Sequence, residues 1–445
     1  MATSRRVLLS AFACSPSYGS ESGVGWNWAL ETANLGHDVT VITRREFQPA
    51  IEAANLAIAK EGRLNFVYVD WVRRLSWEGA GKALTYGYVY LWQWLAWRTA
   101  QQLHRQMPFD LVHHITFGAV RFPSFMGGLG IPFVFGPAGG GESAPSALRR
   151  GFPLRGKLVD ALRDLLNRLV AFDPLVLATL RRARLILIRT QGDLAVVPRR
   201  FHPKVFRVSE VGIRCPQPKP VHVRAPGSVR FLYAGRLLYL KGMHLGIPAF
   251  ATALQQLPGA TLTIAGRGPE EGQWRELAER SSAAGSIRFL GAVPFEEIGQ
   301  LYREHDILLF PSLRDSGANV VYEAAAHALP VVCLKLGGPG ELVEDDWGKA
   351  VEVKNLSEGG AIAALAEAMV EIATDRVRLE TRSLNARAWA ERQTWTSRVS
   401  AVYERLDGGG VAPSTGTAGE SAEAANGTGL SISAGRLITR DGRMD

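Results

Sequence analysis

PSLRDSGANVVYEAAAHALPVV, Pro311 to Val332, is the stretch whose reading decides the fold. The apolar run before it, Asp306 to Phe310, reads as a buried parallel strand. A polar loop then holds Asp315, Gly317-Ala318 opens an amphipathic helix carrying Glu323, and the next strand starts at Pro330. The two acids stand eight positions apart, one in the loop and one in the helix, so they can reach different hydroxyls of one ligand. Backbone N–H groups of the first helical turn lie between them and favour a phosphate. The stretch therefore reads as a site for a ligand with sugar hydroxyls and phosphate. The other reading open at this point is a solvated loop acid and a helix acid in a local salt bridge.

The same alternation fills both flanks. Strands are expected at 229–234, 261–265 and 287–289, with helices at 242–256, 270–284 and 295–304. The N-terminal half predicts strands at 5–13, 38–43, 64–69, 110–117, 132–135, 185–189 and 205–209, and helices at 26–35, 47–60, 154–172, 174–184 and 190–201. A further helical stretch is expected over 356–406. This pattern is that of an α/β protein with parallel sheets covered on both faces. CPQPKPVHVRAPG, Cys215 to Gly227, holds four prolines and reads as a linker between two such units. Tandem α/β units place a ligand cleft against the carboxyl ends of their strands. Five loops that follow strands, at 14–25, 113–121, 136–142, 235–242 and 311–320, would line it.

Composition narrows the class. Charged residues at 21% and hydrophobics at 47% fit an ordinary globular protein. Cys14, Cys215 and Cys333 are far apart, show no metal-ligand spacing and suggest a reducing compartment. The N-terminus superficially resembles a signal peptide, but its apolar run is short and leads into a Gly/Ser loop, which favours a first core strand. The net charge of +9 is concentrated: Arg149 to Arg207 carries fourteen Lys/Arg against four Asp. That density suits anionic lipid, an acidic substrate or a plain solvated face. Nucleic acid ranks last, because no motif for it accompanies the charge. Trp71 to Trp97 holds five Trp and three Tyr, and its uncharged run of fifteen residues is too short to span a bilayer. A buried helix, an acceptor-site wall and an interfacial segment remain open for it.

FLYAGRLLYLKG, Phe231 to Gly242, puts Arg236 and Lys241 just past a strand. Two fixed cations there would hold a diphosphate and stabilise the charge that builds as it leaves, a role that often falls to a metal. Two solvated loop cations are the alternative. No Walker A lysine motif is present, and PSYGSESGVG matches a dinucleotide fingerprint only weakly.

Taken in order, AGRLLYLKG, AGRGPEE, FLGAVPFEEIGQLY, DILLFPSLRDSGANVVYEAAAHALPVV and LGGPGELV resemble the donor-binding domain of family 4 retaining glycosyltransferases. PSYGSESG and LGHDVTVIT are similar to that family's acceptor domain. The resemblance covers roughly residues 5 to 405 and is strongest over 229–345. It implies the GT-B fold: an N-terminal Rossmann-like acceptor domain over 1–212, a linker over 213–228 and a C-terminal Rossmann-like donor domain over 229–385. A helix over 386–406 would cross back to the N-terminal domain, and 407–445, rich in Gly, Ser, Thr and Ala, reads as a disordered tail.

Residue by residue, the resemblance implies that Arg236 and Lys241 grip the donor diphosphate, Glu323 contacts the nucleotide ribose, and Asp315 faces the transferred sugar. Backbone groups at Gly317, Ala318, Asn319 and Val320 would lie near sugar and phosphate, and Gly19 and Ser20 stand at a donor-facing glycine loop. The acceptor-domain histidine falls at His113 or His114, one of which would point into the cleft, and Glu142 lies on the acceptor side. The sequence departs from the family pattern in three places: Asp315 stands for Glu, Gly317-Ala318 for Phe-Gly, and Ser20 for a second Gly. The implied activity is metal-independent, retaining transfer of a hexose-type sugar from a nucleotide-diphosphate sugar to a glycan or lipid-linked glycan, with no cofactor. A cytoplasmic location is expected, with peripheral contact at the inner face of the plasma membrane. Two rivals stay open, a nucleotide-sugar epimerase of the same fold and a non-catalytic scaffold for polysaccharide assembly.

Overall fold

A computed structural model describes residues 4–17, 20–58, 63–70, 82–216 and 228–408. Its N-terminal sheet has seven parallel strands: β1 (Arg6–Ala11), β2 (Asp38–Thr43), β3 (Leu64–Tyr68), β4 (Leu111–Thr116), β5 (Phe133–Ala138), β6 (Leu185–Ile188) and β7 (Val205–Arg207). Their spatial order is β3-β2-β1-β4-β5-β6-β7. Helices α1 (Ser20–Asn34), α2 (Gln48–Ile58), α3 (Lys82–Gln106), α4 (Leu154–Leu169), α5 (Pro174–Arg182) and α6 (Gln191–Val196) surround it. Every residue of β4 and β5 is buried, which is why these strands read as continuous apolar runs with little alternation.

The second sheet joins β8 (Arg230–Ala234), β9 (Thr261–Ala265), β10 (Ile287–Gly291), β11 (Ile307–Phe310), β12 (Val331–Leu334) and β13 (Gly348–Val351) in the order β10-β9-β8-β11-β12-β13. Helices α7 (Met243–Ala253), α8 (Glu271–Glu279), α9 (Phe295–Glu304), α10 (Asn319–Ala326) and α11 (Gly337–Leu342) connect these strands. In each sheet the strand order reverses once, between β1 and β4 and between β8 and β11. Loops leaving the two strands at such a reversal diverge and open a crevice at their carboxyl ends. The loops carrying Lys241 and Asp315 leave β8 and β11, the pair at the reversal.

The long helical stretch expected over 356–406 is three helices, α12 (Glu358–Thr374), α13 (Arg376–Arg392) and α14 (Trp395–Asp407). Ser357, Asp375 and Thr394 each accept a backbone N–H at the start of one of them. The crossing back begins at α14, later than the 386 read from the sequence. Ala386 and Trp389 on α13 belong to the C-terminal core, where Trp389 stacks on Trp347 at 4.8 Å. Trp395, Val399, Val402 and Leu406 on α14 are buried in the N-terminal core. The exchange is mutual, since Ala144, Leu148 and Phe152 pack into the C-terminal core.

Of the aromatic segment, residues 71–81 lie outside the described residues. The rest lies on α3, where Val89, Trp92, Ala96 and Ala100 are buried and Trp92 Nε1 donates to the Val69 carbonyl at 2.9 Å. The buried-helix reading fits that face, with Trp94 left 42% exposed on the other. Among the described residues no helix is long and apolar enough to cross a membrane. The linker stretch 217–227 and the tail from 409 onward also lie outside the described residues.

Candidate active site in the interdomain cleft

The short turn after β8 carries Lys241 and ends at Gly242, whose φ of +75° is left-handed. Here glycine is required twice over, because a Cβ would also overlap the carbonyl oxygen of Pro311. The Leu313 N–H donates to the Leu240 carbonyl at 2.9 Å and ties the two loops together. That pairing brings Lys241 onto Asp315 in an ion pair, with both side chains largely buried. The ammonium also sits 5.1 Å from the centre of the Phe310 ring.

The other Asp315 oxygen accepts the Ala318 N–H at 3.0 Å. Burial pushes the Asp315 carboxyl up, but the Lys241 charge and the N–H groups of Ala318 and Gly317 outweigh it and hold it below its ordinary value. Asp315 is therefore a carboxylate at neutral pH. Ala318, at the entry to α10, has a φ of 51°, a left-handed conformation in a residue with a Cβ. Asn319 and Val320 form the first turn of α10 behind it. Farther along, Glu323 accepts the Tyr302 hydroxyl at 2.8 Å, and burial raises its carboxyl against that hydrogen bond. Arg236 is exposed, and its guanidinium has no ion pair among the described residues.

The N-terminal domain meets this surface with the loops after β5, β6 and β7. A Cβ on Gly139 would lie 2.9 Å from Ser316 Oγ, and one on Gly317 would lie 2.7 Å from Glu210 Oε1. Glu142 accepts the Thr190 hydroxyl and lies against Gly337 of the opposite domain. Burial lifts its carboxyl to about 7; the Thr190 hydrogen bond opposes this, and the charges of Asp193 and Glu341 add to it.

Several polar residues of the cleft carry no local sequence signal. Arg189 pairs with Glu210 and donates to the Gly118 carbonyl at 3.1 Å and the Pro137 carbonyl at 3.3 Å. Glu21 accepts the Gly118 N–H at 2.8 Å. Burial raises Glu210 to about 7 despite the Arg189 charge, with Glu21, Asp193 and Asp315 adding to the rise. Each of these partners lies far from the other in sequence, so spacing could not have paired them.

The histidines differ from expectation. His113 Nε2 meets the Gly136 carbonyl at 2.7 Å with its ring edge-on to Trp28, and His114 Nε2 meets the Phe117 carbonyl at 3.3 Å beside Phe135. They do take different partners, as strand alternation requires. Both are fully buried, however, so neither side chain is presented to the cleft. Burial lowers His113 to about 3 and His114 to about 4, so both are neutral. Gly19 lies outside the described residues, and Ser20 is the first residue of α1. Among the described residues no group of three or more His, Cys, Asp or Glu is placed to hold a metal ion.

Two Rossmann-like domains with their strand ends facing across a cleft define the GT-B class. Residues 228–375 match the family model described as Glycosyl transferases group 1, so the C-terminal domain is of that type. The glycogen synthase of Mycobacterium tuberculosis is 36% identical over 126 residues, 28% of this chain and 30% of the relative. The D-inositol 3-phosphate glycosyltransferase of Corynebacterium urealyticum is 27% identical over 231 residues, 50% of this chain and 51% of the relative. The chain thus spans about a third and about half of the length of these two curated relatives. Among solved structures, Anabaena HepE in complex with UDP and glucose superposes with a TM-score of 0.54 at 16% identity, covering 91% of this chain and 99% of that one. At that identity the likeness shows the fold.

Proposed function

We propose that this protein is a retaining, metal-independent glycosyltransferase acting in polysaccharide biosynthesis. It moves a hexose-type sugar from a nucleotide-diphosphate sugar to a hydroxyl of a glycan or lipid-linked glycan. The observation that carries the reading is the Lys241–Asp315 pair at the start of α10, with the exposed Arg236 on the same loop as Lys241. In this proposal the two cations and the first N–H groups of α10 take the diphosphate, Asp315 the sugar and Glu323 the ribose. The acceptor oxygen bonds to the anomeric carbon as the sugar–phosphate bond breaks. The electron pair leaves with the diphosphate and the hydroxyl proton goes to a departing phosphate oxygen. The fixed positive charge stabilises that diphosphate as it forms. Glu142 lies on the acceptor side. The likeness to a fold that binds UDP in Anabaena HepE supports a nucleotide-diphosphate donor. Cytoplasmic location with peripheral contact at the inner face of the plasma membrane belongs to the same proposal, supported by the basic stretch 149–207.

A thermal-shift screen against nucleotide-sugars tests the reading. One donor, well above its Kd, is expected to stabilise the protein by about 2–4 kcal/mol. Lys241→Ala is expected to keep its fold by circular dichroism while losing about a hundredfold or more of transfer rate. A chain that responds to no nucleotide-sugar does not have this function.

A further inference from the structure

Helix α4 is built inside out. Thirteen large hydrophobic side chains are exposed among the described residues, and nine of them fall between Leu154 and Leu175. Leu154 is 80% exposed, Leu158 72%, Leu162 57% and Leu165 50%, and Phe172, just past the helix, is 78%. At about 100° per residue these positions form one stripe along α4. The face turned to the protein is polar instead. Asp160 accepts from Arg314 at 2.6 Å and from Tyr239 at 3.2 Å. Arg163 and Asn167 donate to the Gly140 carbonyl at 2.6 and 3.2 Å, and Asp164 pairs with Arg149 at 2.8 Å. A surface helix in water normally turns its apolar stripe inward. These polar contacts leave no freedom for α4 to roll its leucines under.

The charge around the stripe says what covers it. Lys157 and Arg168 border the leucines, Arg155 lies among them, and all three are exposed. Arg181 and Arg182 at the end of α5 are exposed as well. The acids of α4, Asp160 and Asp164, are both held on the inner face by the pairs above. An apolar stripe bordered by cations, with its acids withdrawn, fits the headgroup and upper acyl region of an anionic bilayer. A protein surface of matching shape would need acids on the partner and gives no reason for cations on one border alone.

We infer that α4 and the turn at Phe172 form the surface by which this protein lies on an anionic membrane. The leucines enter the acyl boundary and Lys157, Arg155 and Arg168 reach phosphate headgroups. Through Arg163 and Asn167 the same helix holds Gly140 in the cleft loop, and through Asp160 it holds Arg314 beside Asp315. Docking on α4 therefore brings the acceptor side of the cleft to the bilayer, where a lipid-linked hydroxyl would be presented. The inference names a partner for the proposed site, but the surface stands without the transfer reading.

Flotation with vesicles tests it, using the full chain at low and high salt. The protein is expected to float with vesicles of mixed phosphatidylcholine and phosphatidylglycerol, and to float less as salt rises. Leu158→Glu with Leu162→Glu, both on the exposed stripe, should reduce flotation by about tenfold or more. Lys157→Glu with Arg168→Glu should remove the preference for the anionic vesicles. The inference is overturned by a wild-type chain that ignores both compositions, or by flotation that the leucine variant leaves unchanged. Elution as a dimer that the leucine variant splits would overturn it too, and assign the stripe to a second copy. A vesicle-free thermal shift with nucleotide-sugar reads the donor site separately, so either idea can fail alone.

Discussion

Glu142 is an acid whose chemistry the cleft changes. Its carboxyl ordinarily titrates near 4.5, and burial between the domains beside Asp193 and Glu341 moves it to about 7. Between those two values the folded chain holds a proton that the unfolded chain has released. Stability therefore falls as pH rises through that window and levels off above it. Glu142→Gln cannot ionise. It is expected to match the wild type near pH 5 and to be more stable by about 1–3 kcal/mol near pH 8. Thermal denaturation of both proteins across that range checks this, because the difference between them cancels the other carboxylates. A gap that stays flat with pH would remove Glu142 from the titrating set. Asp315 behaves oppositely, held ionised by Lys241, so the two sides of the cleft carry acids of different proton affinity.

At the scale of the element, the loops after β8 and β11 depend on a contact closer than any side chain permits. Gly242→Ala would force its Cβ into the Pro311 carbonyl oxygen at a φ of +75°. The expected result is a loss of about 2–4 kcal/mol and a displaced Lys241, read by urea denaturation and by a weakened thermal shift with nucleotide-sugar. Much of this arrangement was legible in the sequence. The apolar run Asp306 to Phe310, the glycine after Lys241 and the helix carrying Glu323 each announce themselves through local pattern. Ala318 did not, because its left-handed backbone is imposed by Asp315 and by the packing of Gly338 against it. His113 and His114 misled for a related reason. Alternation says which face of β4 a residue takes, but both rings are buried, His113 against Trp28 on α1 and His114 beside Phe135, its register partner on β5. The inverted α4 was visible only as amphipathic periodicity, which has no sign until the partners of Asp160 and Arg163 are known.

For the whole molecule, the core of each domain takes in a segment from the other half of the chain. The N-terminal core is completed by α14, whose Trp395, Val399, Val402, Tyr403 and Leu406 are each 9% exposed or less. At roughly 1.5–3 kcal/mol for each buried side chain, these five contribute on the order of 10 kcal/mol. Area bookkeeping of this kind is an upper bound, yet even half of it is comparable with the net stability of about 5–15 kcal/mol of an ordinary domain. A chain ending at Arg392 keeps α13 and the complete C-terminal core, including Trp389. It is therefore expected to keep cooperative unfolding of the C-terminal domain while the N-terminal sheet loses protection. Hydrogen exchange over β1, β2 and β4 reads this directly, since α1 and α14 pack together over that part of the sheet and the Tyr403 hydroxyl lies 3.4 Å from Thr32. Undiminished protection there would mean that the N-terminal domain closes its core without α14. Lost protection confined to the N-terminal strands would make the crossing helix a structural part of the N-terminal domain, and not a tail laid over it.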